Sequence, residues 1–174
     1  TIGSILLAID TSTHIVGLAL YDGSQVLSEC MWISRNYHTV ELAPAVEKML
    51  INSEVQISSL GAVTVAIGPG SFTGLRIGLA LAKGLALACN LPMLGVPTLD
   101  IIAHSLPVQC ELMVAILRIG RGRLAAGWYQ AIEGNWHPTG KLEVLTAEQL
   151  NRKIKRPTMV CGELTADERK LLMR

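Results

Sequence analysis

The sequence predicts an α/β protein built as two tandem halves of one topology, and three observations predict it. The chain opens with three consecutive strand-like runs, then alternates helices with short apolar strands, and a strand, turn, strand pattern restarts beyond Pro107. The halves are set at residues 1–106 and 107–174, with mixed sheets and helices on both faces expected in each.

Ile5 to Ile9 is continuously apolar, Asp10-Thr11-Ser12-Thr13 is a polar turn, and Ile15 to Tyr21 returns as a second strand. Asp22-Gly23 marks the next turn and Val26 to Ile33 the third strand, which completes an antiparallel meander. Residues 39–52 come next as a helix with Leu42, Ala45, Val46, Met49 and Leu50 on one side and Thr39 as its cap. Pro44 inside it removes one backbone bond and should bend it or confine its regular part to the residues after the proline. His38 stands alone before this helix, with His14, His104 and His137 remote, so metal ligation is not suggested.

Ala62 to Ile67 is β-branched and apolar, so this strand, the Gly68-Pro69-Gly70 turn and a helix over residues 73–89 read as one unit. Ser71 or Thr73 caps the helix, and Asn90 with Pro92 ends it. At 100° per residue its apolar arc is about 220° wide, against the roughly 100° that burial on one side requires, so the helix should be covered twice. Gly74, Gly78, Ala82 and Ala86 recur every fourth residue, a row that lets a neighbouring backbone approach closely, while Arg76 and Lys83 share a narrow stripe. Those two charges hold the apolar run below the about 18 residues of a membrane span. Leu75-Arg76 after Gly74, in place of Lys-Ser or Lys-Thr, excludes a P-loop.

Pro92 to Pro97 is a short strand, and Thr98 to Leu106 a helix capped by Thr98. Leu112 to Leu117, the turn Arg118 to Arg123, and Leu124 to Tyr129 then echo the opening hairpin. Lys141 to Leu145 reads as a third strand, Ala147 to Ile154 as a helix, Thr158 to Cys161 as a fourth strand, and Thr165 to Arg174 begins a helix. The second half is shorter than the first, so repeat logic predicts a family chain about 40 to 60 residues longer.

With 174 residues, 50% of them hydrophobic, the chain can bury a substantial core. Net charge is +1 and aromatics are 4%, which excludes a large basic stripe or a set of stacking platforms; any RNA contact should be shared with something else. Cys30, Cys89, Cys110 and Cys161 are far apart, which fits free thiols in a reducing cytoplasm. The first apolar run ends at Asp10 with no basic region before it, so no signal peptide is expected. Two turns carry candidate chemistry. Asp10, Thr11 and Ser12 could hold a phosphate or a metal-bound water, or the carboxylate could bond its own turn's amides. Arg118, Arg121 and Arg123, around Gly120 and Gly122, read as the densest positive charge and could meet phosphate, or form a solvated hairpin tip.

Two such halves resemble the tandem ribonuclease-H-like halves of the actin, sugar-kinase and Hsp70 superfamily. Ile5 to Asp10 with Thr11-Ser12-Thr13, His38 before Leu42-Ala43-Pro44, and above all the run Gly68-Pro69-Gly70-Ser71-Phe72-Thr73-Gly74-Leu75-Arg76-Ile77-Gly78 are similar to the bacterial TsaB (also YeaZ) family. The match is long and specific through about residue 105; beyond it, Val160-Cys161-Gly162 falls where the family has a strand ending in glycine. The resemblance implies a role in making threonylcarbamoyladenosine at position 37 of tRNA, by a catalytically degenerate relative of TsaD. It implies a heterodimer with TsaD that recruits the ATPase TsaE, with tRNA met indirectly and no cofactor. TsaD-type chemistry needs a metal held by paired histidines, which His38 alone does not supply. Where the family carries an Ile-Asp-Ala-Arg-like motif, this chain has Ile116-Leu117-Arg118-Ile119, without the acidic residue.

The expected function is therefore a non-catalytic, cytoplasmic subunit. Leu42, Ala45, Met49, Leu75, Arg76, Leu79, Ala82 and Lys83 should form half of a four-helix joint, so that Leu79→Glu leaves a folded protein that no longer binds. Two alternatives stand beside it: an ATP-Mg enzyme using Asp10 and the adjacent hydroxyls for phosphoryl transfer, and a scaffold that forms homodimers through the same helices.

Overall fold

The computed structural model describes residues 4–34 and 38–173, with the side chains of His38 and Thr39 excepted. Two compact units divide the chain, Thr1–Val96 and Pro97–Arg174.

In the first unit, β1 (Ile5–Asp10), β2 (Ile15–Tyr21) and β3 (Val26–Ile33) form the antiparallel meander, with Leu7 opposite Leu20 and Leu18 opposite Cys30. The β2–β3 turn is held by Asp22 Oδ1, which accepts from the Gln25 and Ser24 amides, both at 2.8 Å. Those amides lower the Asp22 carboxyl to about 2. β4 (Leu60–Ala66) runs parallel to β1 and β5 (Met93–Val96) parallel to β4, giving the order β3-β2-β1-β4-β5. Leu7, Ile9, Val16, Leu18, Val63 and Val65 form the core together with Leu42, Val46 and Met49 of α1 (His38–Asn52), as strand alternation requires of a face covered by helices. Pro44 stands inside α1 without ending it. α2 (Phe72–Cys89) is capped as its residues predict: the Gly74 amide donates to Ser71 Oγ at 3.2 Å, and Asn90 closes it in the left-handed region at φ 53°. By length and composition α2 could cross a membrane, yet here it lies on the sheet with Gly74, Gly78 and Ala82 buried.

The second unit repeats the topology. After α3 (Thr98–His104), β6 (Leu112–Arg118) and β7 (Leu124–Ile132) make the hairpin, and β10 (Met159–Gly162) runs parallel to β6. β8 (Asn135–Pro138) completes the order β10-β6-β7-β8, which matches β4-β1-β2-β3 of the first unit. The third strand is split: β8 pairs with the end of β7 and β9 (Glu143–Leu145) with its start. Only β9 falls within the expected strand over residues 141–145. The polar run Asn135-Trp136-His137-Pro138 carries too little alternation to be read as a strand, and Trp136 fixes it by burying its indole and donating to the Leu106 carbonyl at 3.0 Å.

The unit boundary falls after Val96, not after Leu106. α3 packs Leu99 and Ala103 against Met113, Ala115 and Leu117, and the Tyr129 hydroxyl donates to Asp100 Oδ1 at 2.6 Å. Thr98 does not cap α3: the cap position is Pro97, and the buried Thr98 hydroxyl has no hydrogen-bond partner among the described residues. α4 (Ala147–Lys153) and α5 (Ala166–Leu172) cover a separate cluster that includes Val114, Ile116, Leu124 and Leu150. β6 is thus buried on both faces, which explains its unbroken apolar run.

Candidate functional site

The turn after β1 and the N-terminal half of α2 form one interlocked site. Asp10 Oδ1 accepts from the Ser12 amide at 2.9 Å and the Ser12 hydroxyl at 2.6 Å, so the carboxylate organises its own turn. The Thr11 hydroxyl donates to the Gly74 carbonyl at 2.8 Å, and the Ser71 amide to the Ser12 carbonyl at 2.6 Å. Thr11 and Ser12 are fully buried. A Cβ on Gly70 would collide with the Ser12 carbonyl, one on Gly74 with the Thr11 carbonyl, and one on Gly78 with the Thr11 hydroxyl. The row of small residues does admit a close backbone, but that backbone is the chain's own turn. Both hydroxyls donate inside the site, so neither side chain is free to donate to a phosphate. Thr11→Val should cost about 1 to 2 kcal/mol of stability by removing the bond across the interlock, read from urea denaturation.

Arg118 and Arg121 lie in the second unit, around the β6–β7 turn. Arg118 Nη1 donates to Glu168 Oε1 at 2.6 Å and Oε2 at 2.5 Å, tying the end of β6 to α5. Glu168 also closes a capping box: the Thr165 amide donates to its Oε2 at 2.8 Å, and its own amide donates to Thr165 Oγ1 at 3.2 Å. The Thr165 amide, with Arg118 adding to it, holds the Glu168 carboxyl below its usual range. A depressed carboxylate stabilises the fold above the unfolded value and loses that contribution as pH falls through the folded one. α5 should therefore loosen on acidification, with faster amide exchange at Glu168 and Arg169, and Arg118→Ala should reproduce part of that loss at neutral pH. Arg121 sits exposed at φ 53° between Gly120 and Gly122, also at positive φ, on the hairpin tip.

The helix faces differ from expectation. Leu42, Met49 and Ala82 are at most 4% exposed and belong to the core, so they do not form an outer surface. Ala45, Leu75 and Leu79 are half-buried, and Ala45 and Leu79 pack against that core, so Leu79→Glu would perturb folding as well as binding. Arg76 and Lys83 do face outward, Arg76 lying 5.0 Å from the Phe72 ring centroid. Beside them stand two residues that helical periodicity alone did not single out, Phe72 at 74% and Leu87 at 85% exposure. Their spacing was the available signal, since Phe72, Arg76, Ala80, Lys83 and Leu87 fall on one side of the helix. Ile51 is exposed on α1, next to a groove of about 360 Å³ lined by Ala43, Glu47, Leu50, Leu81 and Leu85.

The densest basic run is also elsewhere: Arg152-Lys153-Ile154-Lys155-Arg156 places four cations in five positions at the end of α4. Among the described residues no three His, Cys, Asp or Glu gather as a metal site. The four cysteines are free thiols, and burial pushes Cys161 up to about 11.

Two units sharing one ribonuclease-H-like strand order define a protein of the actin-like ATPase fold class. Residues 32–153 match the family described as TsaD, tRNA N6-adenosine threonylcarbamoyltransferase. The tRNA threonylcarbamoyladenosine biosynthesis protein TsaB of Bacillus subtilis is 34% identical over 83% of this chain and 60% of its own length. TsaB of Escherichia coli is 33% identical over 86% of this chain and 66% of its own length. A crystal structure from Pseudomonas aeruginosa, described as an uncharacterized protein with similarity to peptidase YEAZ, superposes with a TM-score of 0.81 at 27% identity, covering 98% of this chain and 90% of that one. The chain belongs to the TsaB family. It spans roughly three fifths to two thirds of the length of these curated relatives.

Proposed function

We propose that this chain serves tRNA N6-threonylcarbamoyladenosine synthesis as a non-catalytic subunit that docks a TsaD-type catalytic subunit through the outer faces of α1 and α2. The relatives' names supply the pathway. The observation that carries the non-catalytic part is the closed turn, in which Thr11 and Ser12 are buried and bonded to the chain itself. The outward stripe of Phe72, Arg76, Lys83 and Leu87 supports the docking part, because large exposed apolar groups flanked by charge suit a helical interface. A TsaE-type ATPase joins through that complex, and the cytoplasm is where the reaction takes place.

Light scattering on a mixture with a TsaD-type subunit tests the docking: a one-to-one heterodimer is expected, and two unchanged masses would refute it. The isolated chain should not hydrolyse ATP, and turnover that disappears in Asp10→Ala would establish the enzyme reading instead. Self-association is the second reading, favoured by the same exposed Phe72 and Leu87, with a homodimer of the isolated chain as its signature.

A further inference from the structure

The two units differ in charge. Thr1–Val96 carries 4 basic against 6 acidic residues, and Pro97–Arg174 carries 11 against 8. The excess is concentrated in Arg152-Lys153-Ile154-Lys155-Arg156, and no acidic residue occurs between Glu148 and Glu163. The loop has a defined conformation. Ile154 packs against the cluster of Val114, Ile116 and Leu150, and its amide donates to the Leu150 carbonyl at 3.1 Å. The Thr158 hydroxyl donates to the Arg156 carbonyl at 2.9 Å, and Pro157 restricts the backbone between them. With Ile154 anchored inward, all four cations are exposed on either side of it. Lys153 is paired with Glu143 at 2.5 Å, and Arg152 interacts with Glu148 one helical turn before it. Lys155 and Arg156 have no such partner among the described residues.

We infer that the loop Arg152–Arg156 is a docking site for the phosphate backbone of tRNA. This rests on the reading that the chain acts in tRNA modification. Two unpaired cations on a held backbone suit a polyanion, since neutralising phosphates releases counterions without first breaking an ion pair. Lys155 and Arg156 offer cationic donors, the groups that phosphate oxygens most often accept from, so contact with the loop is assigned to the backbone. An acidic protein surface is the rival partner, and the experiment separates the two.

The test titrates unmodified tRNA against the full chain by fluorescence anisotropy between about 50 and 200 mM KCl, with Lys155→Ala/Arg156→Ala beside the wild type. Circular dichroism should show both folded, because both side chains are exposed. The double variant should bind about tenfold more weakly, and its slope of log affinity against log salt should be shallower by about 1.4 to 1.8, at roughly 0.7 to 0.9 per phosphate contact. Equal affinity and slope would overturn the inference, as would a wild type that binds no tRNA at the lowest salt. A double variant that loses the TsaD-type subunit while keeping tRNA would assign the loop to an acidic protein and overturn it too. If the double variant still forms the TsaD-type complex but binds tRNA normally, only the loop assignment falls. If the wild type forms no such complex while the double variant loses tRNA, the loop assignment stands and the docking proposal falls.

Discussion

Gly74→Ala is expected to destabilise the protein by about 3 kcal/mol, at the upper end of overpacking costs, and to lower its urea midpoint accordingly. The added methyl would sit inside the contact shell of the Thr11 carbonyl, a backbone atom. That atom cannot retreat cheaply, because the Thr11 hydroxyl is bonded to the Gly74 carbonyl and the next residue's carbonyl receives the Ser71 amide. The same helix contains its own control. A Cβ on Gly84 meets nothing within 4 Å, so Gly84→Ala should stabilise by about 0.5 to 1 kcal/mol through helix propensity. Opposite signs at two glycines of one helix are the signature of the interlock, and equal effects would show that the turn does not lie on α2. Gly162→Ala should match the Gly74 loss in the second unit, since φ is 120° there and a Cβ would collide with the Ile116 carbonyl.

Phe72→Glu and Leu87→Glu should each leave a folded chain and weaken binding of a TsaD-type subunit by at least about 30-fold, the equivalent of a hot spot of about 2 kcal/mol. Folding should be spared because the two side chains are 74% and 85% exposed. Binding should suffer because a carboxylate buried without a partner in the joint costs more than the lost apolar contact. Arg76→Ala should act more weakly and more at low salt, through encounter rate and the Phe72 contact. Calorimetric titration reads all three. Full affinity in both glutamate variants would remove this face from the docking surface, and a loss of thermal stability in either would mean that its side chain supports the fold.

Much of the architecture was legible because its signals are local. Turn residues and apolar runs mark β1 to β5, Ser71 and Asn90 bound α2, and the hairpin of β6 and β7 repeats that of β1 and β2. The candidate site was legible only as two separate motifs, the Asp10-Thr11-Ser12 turn and the glycine-rich helix, which lie more than sixty residues apart where Thr11 meets Gly74. Their union required the parallel pairing of β1 with β4, a long-range contact that no local pattern encodes. Helical periodicity shows which residues share a face, but burial is driven by a non-directional force, so it does not show which face meets the sheet. Hence Leu42, Met49 and Ala82 went to the core while Phe72 and Leu87 stayed outside. The same reason governs α3. Its apolar face would suit either sheet, and only the tertiary structure, through β6, Tyr129 and Trp136, assigned it to the second unit.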